Sequence, residues 1–181
     1  MLTQQQLNDR IKGLGGSDVS IILGLSNYKT PYELYLEKSG QVEVEQKYSE
    51  QAYWGNVLEP VVIKEFRKRN NVRVFYPDTV VHPFYDFMRA NVDGYIPKYK
   101  SVFEAKTSDK FMAKEWGESG TDKIPMAYLV QVAHYVSCMN AKQANIALLL
   151  GGNEYREFIY TRDYELEQMI IDACKDFWHC V

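Results

Sequence analysis

The sequence predicts a mixed α/β or α+β fold, a central β-sheet flanked by helices, and three observations carry that prediction. The first 70 residues are dominated by capped, helix-period segments. From residue 72 the period changes to short β-branched and aromatic runs separated by Pro, Asp, Asn and Gly. After them come a helix, two strands and a final helix, so both element types serve one mixed sheet. The 181 residues, 46% of them hydrophobic and 14% aromatic, contain no internal repeat, low-complexity tract or linker. One domain over residues 1–181 is expected.

TQQQLNDRIKG predicts a short helix capped by Thr3 and stopped by Gly13, and the glycines of GLGG predict a turn into a second helix, SDVSIILG, that starts at Ser17. In TPYELYLEKSG the threonine is an N-cap, Pro31 takes the first helical position and Gly40 ends the segment. Residues 41–49 are polar and carry no clear period. SEQAYWGNVLEPVVIKEFRKRN then places Trp54, Leu58, Val61, Val62 and Phe66 near helical spacing, which predicts the first long helix. VRVFY, TVVHP, DGYIP and SVFEAKT predict strands. DKFMAKEWG predicts a short helix, and IPMAYLVQVAHYVSCMN a long one with a stripe of Leu129, Val132, Ala133, Val136 and Met139. QANIALLL and EYREFIY predict a strand pair around Gly151 and Gly152, and RDYELEQMIIDACKDFW a closing helix.

A formal charge of −3 and a pI near 5.7 exclude a global positive field, so any polyanion must be held locally. Lys64, Arg67, Lys68, Arg69 and Arg73 form one basic run, readable as a solvated helix face, and Lys98, Lys100, Lys106, Lys110 and Lys114 form another. MLTQQQLNDRIK lacks the apolar core of a signal peptide and no window approaches a membrane span, so a soluble protein of the cytoplasm is expected, the host cytoplasm if a phage encodes it. Cys138, Cys174 and Cys180 form no CxxC pair, which argues against structural zinc or an Fe–S cluster.

The chemistry concentrates in RANVDGYIPKYKSVFEAKT. If DGYIP and SVFEAKT pair antiparallel around Lys98–Lys100, residue 93 falls opposite residues 104 to 106, and Asp93 and Glu104 come within reach of one ion. Alternation sends Glu104 and Lys106 to one face, for chemistry, and Ala105 to the other, for packing. Two carboxylates plus waters suit Mg²⁺ or Mn²⁺. A neighbouring lysine then orients or deprotonates a metal-activated water, or neutralises charge on a phosphorane-like transition state. The chain holds two acid-x-Lys triplets, and chance alone yields roughly two, so context must separate them. Glu45-Gln46-Lys47 has no β run beside it. For Asp93 and Glu104 the alternative is an exposed hairpin with a cross-strand ion pair.

Three further pieces bear on that choice. Glu59 lies in GNVLEP among apolar neighbours, where an acid needs a partner such as a metal. Gln131 and Tyr135 are i and i+4 on one helix face, either reaching the same site or simply sharing a surface. RIKGLGGSD runs a glycine turn into a helix start beside Arg10 and Ser17, which is either an anion site or a capped helix start.

With these residues assembled, the sequence resembles the YqaJ-like viral recombinase family, the phage alkaline exonucleases related to lambda exonuclease within the PD-(D/E)xK nuclease superfamily. The resemblance runs from Arg10 to Trp178 and rests on GLGGSDVSIILGLSNYKTPYELYLEKSG, GNVLEP, HPFYDFMRANVDG, EAK and QVAHY in that order. It implies a restriction-endonuclease-like core with Asp93 and Glu104 as metal ligands, the Ala105 carbonyl as a third, and Lys106 as the catalytic lysine. It further implies that Glu59 and Gln131 orient water or support the metals, that Tyr135 completes a QxxxY element, and that Arg10 and Ser17 bind the substrate's 5′-phosphate. Two departures stand out: Val92 replaces a proline common before the first metal-binding Asp, and Lys110 is the nearest counterpart of a basic residue beyond the catalytic lysine. The implied activity is a Mg²⁺-dependent DNA exonuclease, 5′→3′ on linear double-stranded ends, making single strands for phage recombination. Its implied partners are a single-strand annealing protein and further copies in a homo-oligomeric ring. The alternatives are an endonuclease or junction resolvase of the same superfamily, or a nuclease-like binding or inhibitor module, against which the joint presence of Asp93, Glu104 and Lys106 speaks.

Overall fold

A computed structural model describes residues 10–43 and 49–181. The predicted helix over TQQQLNDRIKG lies mostly outside the described residues, with Arg10 and Ile11 helical at its end, and the triplet Glu45-Gln46-Lys47 lies wholly outside them.

Local chemistry accounts for the helix starts. Helix α1, Gly16–Ile22, opens at Gly15, whose N–H donates to Asp18 Oδ2 at 2.8 Å. Helix α2, Pro31–Lys38, starts at the expected Thr30 cap and adds a capping box: Glu33 N–H donates to Thr30 Oγ1, and the Glu33 carboxylate accepts from Thr30 N–H. Helix α3, Glu50–Asn70, starts at Ser49, whose side chain accepts from Ala52 N–H, and ends at Asn71 in the left-handed region with φ 49°.

Strands β1, Val80–Val81, and β2, Arg89–Ala90, pair antiparallel in a separate two-stranded sheet. The main sheet has the order β3-β4-β5-β6, formed by Gly94–Ile96, Ser101–Ser108, Gln143–Leu150 and Glu154–Thr161. Between β4 and β5 the chain makes a 3₁₀ turn, Lys110–Lys114, and then helix α4, Met126–Cys138; this crossover makes β4 and β5 parallel, whereas β3–β4 and β5–β6 are antiparallel hairpins. Gly151 and Gly152, with φ of 59° and 77°, turn β5 into β6 where a side chain would be strained. Helix α5, Tyr164–Cys180, closes the chain, capped by Asp163.

The expectation of a single sheet is therefore corrected to two. VRVFY is not a strand either: it contributes an isolated bridge, Phe75 to Tyr95; Val72 and Val74 pack on the core, Phe75 and Tyr76 stay exposed, and Pro77 has no N–H to extend a ladder. Both faces of the main sheet are buried. Leu14, Val19, Val102, Val132, Val136, Ile146, Leu148 and Ile170 pack on one side, beneath α1, α4 and α5. Val62, Ile63, Phe66, Val74, Ile96, Phe103 and Ala147 pack on the other, beneath α3, where the Phe66 and Phe103 rings lie 4.6 Å apart. The expected apolar line of α3 divides accordingly. Val62 and Phe66 reach the sheet, while Trp54 and Val61 stay more than half exposed, Val61 immediately before the buried Val62. Cys138 and Cys174 are buried free thiols and Cys180 is an exposed one. No helix among the described residues is long and apolar enough to cross a membrane.

His134, in the middle of α4, is fully buried and donates from Nε2 to the Arg89 carbonyl at 2.9 Å. Burial pulls its pKa down to about 4. An unfolded histidine takes up its proton near pH 6.5, so stability is lost as pH falls from about 6.5 to 4, by about 3 kcal/mol. Chemical denaturation at the two pH values is expected to show that this loss shrinks in His134→Gln; an undiminished loss in the variant would assign acid sensitivity elsewhere.

Candidate active site

The β3–β4 register pairs Gly94 with Phe103, Tyr95 with Val102 and Ile96 with Ser101, so one further step puts Asp93 beside Glu104. There the main-chain ladder gives way to a side chain: Ala105 N–H donates to Asp93 Oδ2 at 2.8 Å. Glu104 Oε1 accepts from Lys106 Nζ at 2.8 Å and from Gln131 Nε2 at 3.0 Å. Gln131 Oε1 in turn accepts from Lys106 Nζ at 3.2 Å, and Gln131 Nε2 also donates to the Tyr135 hydroxyl at 3.0 Å. Glu104 Oε2 is buried and has no hydrogen-bond partner. Glu59, on α3, completes the opposite wall of an open cleft of about 590 Å³ that is also lined by Asp93, Glu104, Lys106, Tyr28 and Tyr128.

These contacts require a close approach of α1 to α4. A Cβ on Gly16 would stand 2.6 Å from the Tyr135 ring and 2.9 Å from Gln131 Cγ, so only glycine fits between them. On the other side of Lys106, the Tyr128 ring centroid lies 4.8 Å from Nζ. Tyr128 stacks on Trp116 at 5.4 Å, and Trp116 packs on Phe158 at 5.3 Å, so a column of rings from the core ends against the ammonium.

Burial dominates the electrostatics. It raises the Glu104 carboxyl to about 7, with the Lys106 charge opposing and the Asp93 charge adding. Asp93 is raised by burial against the pull of the Ala105 N–H and of Lys106. Glu59 is raised by burial and then by Asp93. Burial alone would lower Lys106, but the charge and hydrogen bond of Glu104, with Asp93, outweigh it and the net shift is upward. Three acids that resist ionisation around one lysine mark a place where positive charge is wanted.

Among the described residues no group of three or more His, Cys, Asp or Glu side chains is gathered as a metal cluster. Two coupled carboxylates, one with a buried oxygen lacking any donor, are the donor set of a hard cation that keeps most of its waters. A zinc site would need His or Cys, and neither lines the cleft.

Glu59, Asp93, Glu104, Ala105 and Lys106 thus meet in one cleft, with Gln131 and Tyr135 behind Glu104. Arg10, Ser17 and Lys110 do not line it. Arg10 and Ser17 are exposed, Ser17 immediately after the glycine that touches Gln131, while Lys110 is exposed and packs beside Gly151. The reading of the hairpin as an exposed ion pair is overturned, because Glu104 is 3% exposed. So is the division into a face for chemistry and a face for packing: Glu104 and Lys106 share theirs with Val102, under α4. Gly16 and Tyr128 were not expected from the sequence. For Tyr128 a signal existed, since it precedes Gln131 by three on the same helix.

The chain matches the YqaJ-like viral recombinase domain over residues 5–142. It is 43% identical over 182 residues to the YqaJ protein of Bacillus subtilis strain 168, an alignment that takes in 99% of this chain and 56% of that protein, so the chain spans little more than half of that relative's length. The alkaline exonuclease LHK-Exo of Laribacter hongkongensis superimposes with a TM-score of 0.79 at 17% identity, over 98% of this chain and 91% of its own. A phage related exonuclease from Haemophilus somnus 129PT superimposes with a TM-score of 0.69 at 16% identity, over 96% of each chain. At such identities the likeness is one of fold, and it agrees with the mixed sheet flanked by helices that the sequence predicts.

The burial of Glu104 has a consequence for stability. Lys106→Met leaves a buried carboxylate without its cation and is expected to cost about 3 kcal/mol at pH 8, whereas Glu104→Gln, which leaves the less buried Lys106 with Asp93 as its remaining anion, is expected to cost less. A carboxyl whose folded pKa is raised destabilises the fold as pH climbs from its unfolded value through the folded one, so the Lys106→Met deficit should narrow towards pH 5. Thermal melts of both variants across this range check it; equal, pH-independent deficits would contradict it.

Proposed function

The chain belongs to the YqaJ-like viral recombinase family, and on that premise we propose that it is a metal-dependent DNA exonuclease, working 5′→3′ from the ends of linear double-stranded DNA. The observation that carries this reading is the meeting of Asp93, Glu104, Lys106 and Gln131 at the C-terminal half of β4, in a cleft faced by Glu59. The names of the similar solved structures agree with it, and LHK-Exo is also known in complex with dAMP.

Asp93 and Glu104 are the residues that would hold Mg²⁺ or Mn²⁺, with the Ala105 carbonyl as a third donor. When bound, such an ion supplies a water acidic enough to attack a phosphodiester near neutral pH and positive charge for the phosphoryl oxygens. Lys106 keeps its proton through the grip of Glu104, so it neutralises charge developing on the scissile phosphate and orients the attacking water. Gln131 fixes Lys106 and Glu104 relative to each other. Tyr135, held protonated by burial, anchors Gln131. Glu59, with its raised pKa, is placed to take a proton or to orient water from the opposite wall. Arg10, Ser17 and Lys110 are assigned to the 5′-phosphate of the substrate end. The single strand produced would pass to an annealing partner, and a homo-oligomeric ring would keep the enzyme on its substrate.

End-labelled linear duplex and covalently closed circle, incubated side by side with Mg²⁺ or EDTA, test the reading. Loss of label from the linear duplex alone, and only with Mg²⁺, is expected; cutting of the closed circle would turn the assignment to an endonuclease. Lys106→Ala and Asp93→Asn are each expected to lower hydrolysis by about 10²–10³-fold while duplex binding survives. Unchanged cleavage by either would remove the β3–β4 hairpin from the chemistry. Arg10→Ala is expected to lower the rate on 5′-phosphorylated ends by roughly ten- to a hundredfold, and that on 5′-hydroxyl ends much less; equal slowing on both would return RIKGLGGSD to a capped helix start.

A further inference from the structure

The most highly organised polar cluster outside the cleft is built around a lysine that the chemistry above leaves unused. Lys38, the last residue of α2, has a buried ammonium whose three N–H groups are all engaged: by the main-chain carbonyl of Arg10 at 2.6 Å, by that of Gly13 at 2.7 Å, and by Asp18 Oδ2 at 2.7 Å. The side chains of the Lys38–Asp18 pair are each only 5% exposed. Asp18 Oδ2 also accepts the N–H of Gly15, so one lysine and one carboxylate tie four points of the segment from Arg10 to Asp18.

That segment links two regions. Its C-terminal end is seated on the catalytic cluster, because Gly16 packs against Gln131 and Tyr135, and Gln131 holds both Glu104 and Lys106. Its middle is pinned by Leu14, whose N–H donates to the Phe87 carbonyl at 2.6 Å and whose carbonyl accepts from Arg89 N–H at 2.9 Å. Its N-terminal end, at Arg10, is gripped through the main chain by Lys38. The charge of Lys38 is spent internally on Asp18, so the cations this segment presents to solvent are the exposed Arg10 and Lys12, and of these two Arg10 is the one whose own carbonyl Lys38 holds. A buried ion pair adds little net stability over an apolar pair of the same volume. What it fixes well is geometry, here the spacing between Arg10 and the Glu104–Lys106 pair.

We propose that Lys38 is a positioning residue for end recognition: by holding the Arg10 and Gly13 carbonyls it sets where the Arg10 guanidinium stands relative to Lys106 and Glu104, and so makes a 5′-phosphorylated DNA end the favoured substrate. The proposal rests on the reading of Arg10 as a 5′-phosphate ligand and adds to it the residue through which that ligand is placed.

The test uses the intact chain with Mg²⁺ and linear duplexes of one sequence bearing 5′-phosphate or 5′-hydroxyl ends. Asp18→Asn breaks the ion pair but leaves Lys38 both carbonyls, and Asp18→Asn combined with Lys38→Met removes the carbonyl contacts without stranding a buried charge. Asp18→Asn is expected to keep the preference for phosphorylated ends within about threefold of the unsubstituted protein. The double variant is expected to lose about tenfold of that preference, through a higher KM on phosphorylated ends with kcat little changed. Arg10→Ala, run in parallel, separates the two layers. If Arg10→Ala retains the preference, the reading of Arg10 is wrong and the role of Lys38 falls with it. If Arg10→Ala loses the preference and the double variant keeps it, the role of Lys38 alone is overturned. A fall in kcat that is equal on both ends overturns it too, since a merely structural residue would act that way. If the methionine variant does not melt cooperatively, Lys38→Gln with Asp18→Asn, which keeps a neutral donor for a carbonyl, is held to the same outcomes with a smaller loss of preference.

Discussion

Glu104 has one carboxylate oxygen held by two donors and the other held by none, in a position almost closed to solvent. Most of the architecture around β4 can be understood as what it takes to keep that group there. A carboxylate in such surroundings needs a cation and a neutral donor within reach, and the crossover through α4 supplies the donor by laying Gln131 over the strand that carries Lys106. Gln131 holds its angle only if Tyr135 anchors it and if α1 approaches closely enough to need glycine at position 16. The burial that makes Glu104 reluctant to ionise is thus produced by the same contacts that place its partners.

Asp93 brings a second acid to the same place by a different route. It stands one step beyond the last β3–β4 pair and takes the Ala105 N–H in place of a main-chain carbonyl, so its position is fixed by sheet geometry. Two raised acids side by side, with Glu59 raised across the cleft, oppose one another's ionisation; a divalent cation reverses that opposition and lowers all three. Tension among the acids and affinity for a cation are therefore one property. The ring column behind Tyr128 and the grip of Glu104 keep Lys106 charged and stationary beside them.

Much of this was legible because it is local. The Thr30 cap and Pro31 start of α2, the Gly151-Gly152 hairpin and the facing of Asp93 and Glu104 depend on residues a few positions apart or on one short turn. What was not legible is tertiary. Nothing in VRVFY says that Val72 and Val74 will find a core while Phe75 and Tyr76 stay exposed, and nothing in α3 says that Val62 will be buried and Val61, one residue before it, exposed. Lys38 reads as an ordinary last-turn lysine, yet it is buried against two carbonyls and Asp18, because the segment it holds comes from the preceding helix junction. The two-sided burial of the sheet, which turns an alternating polar strand into a site inside the protein, follows from how the crossover helix and α3 pack against it.

The central claim is that Asp93 and Glu104 together hold a divalent cation, and isothermal titration of Mn²⁺ into the protein tests it without recourse to activity. Saturable binding by the unsubstituted chain that is lost in both Asp93→Asn and Glu104→Gln is the expected result, since each removes one of the two anionic donors. Binding that survives undiminished in both folded variants, or no binding by the unsubstituted chain, would contradict it.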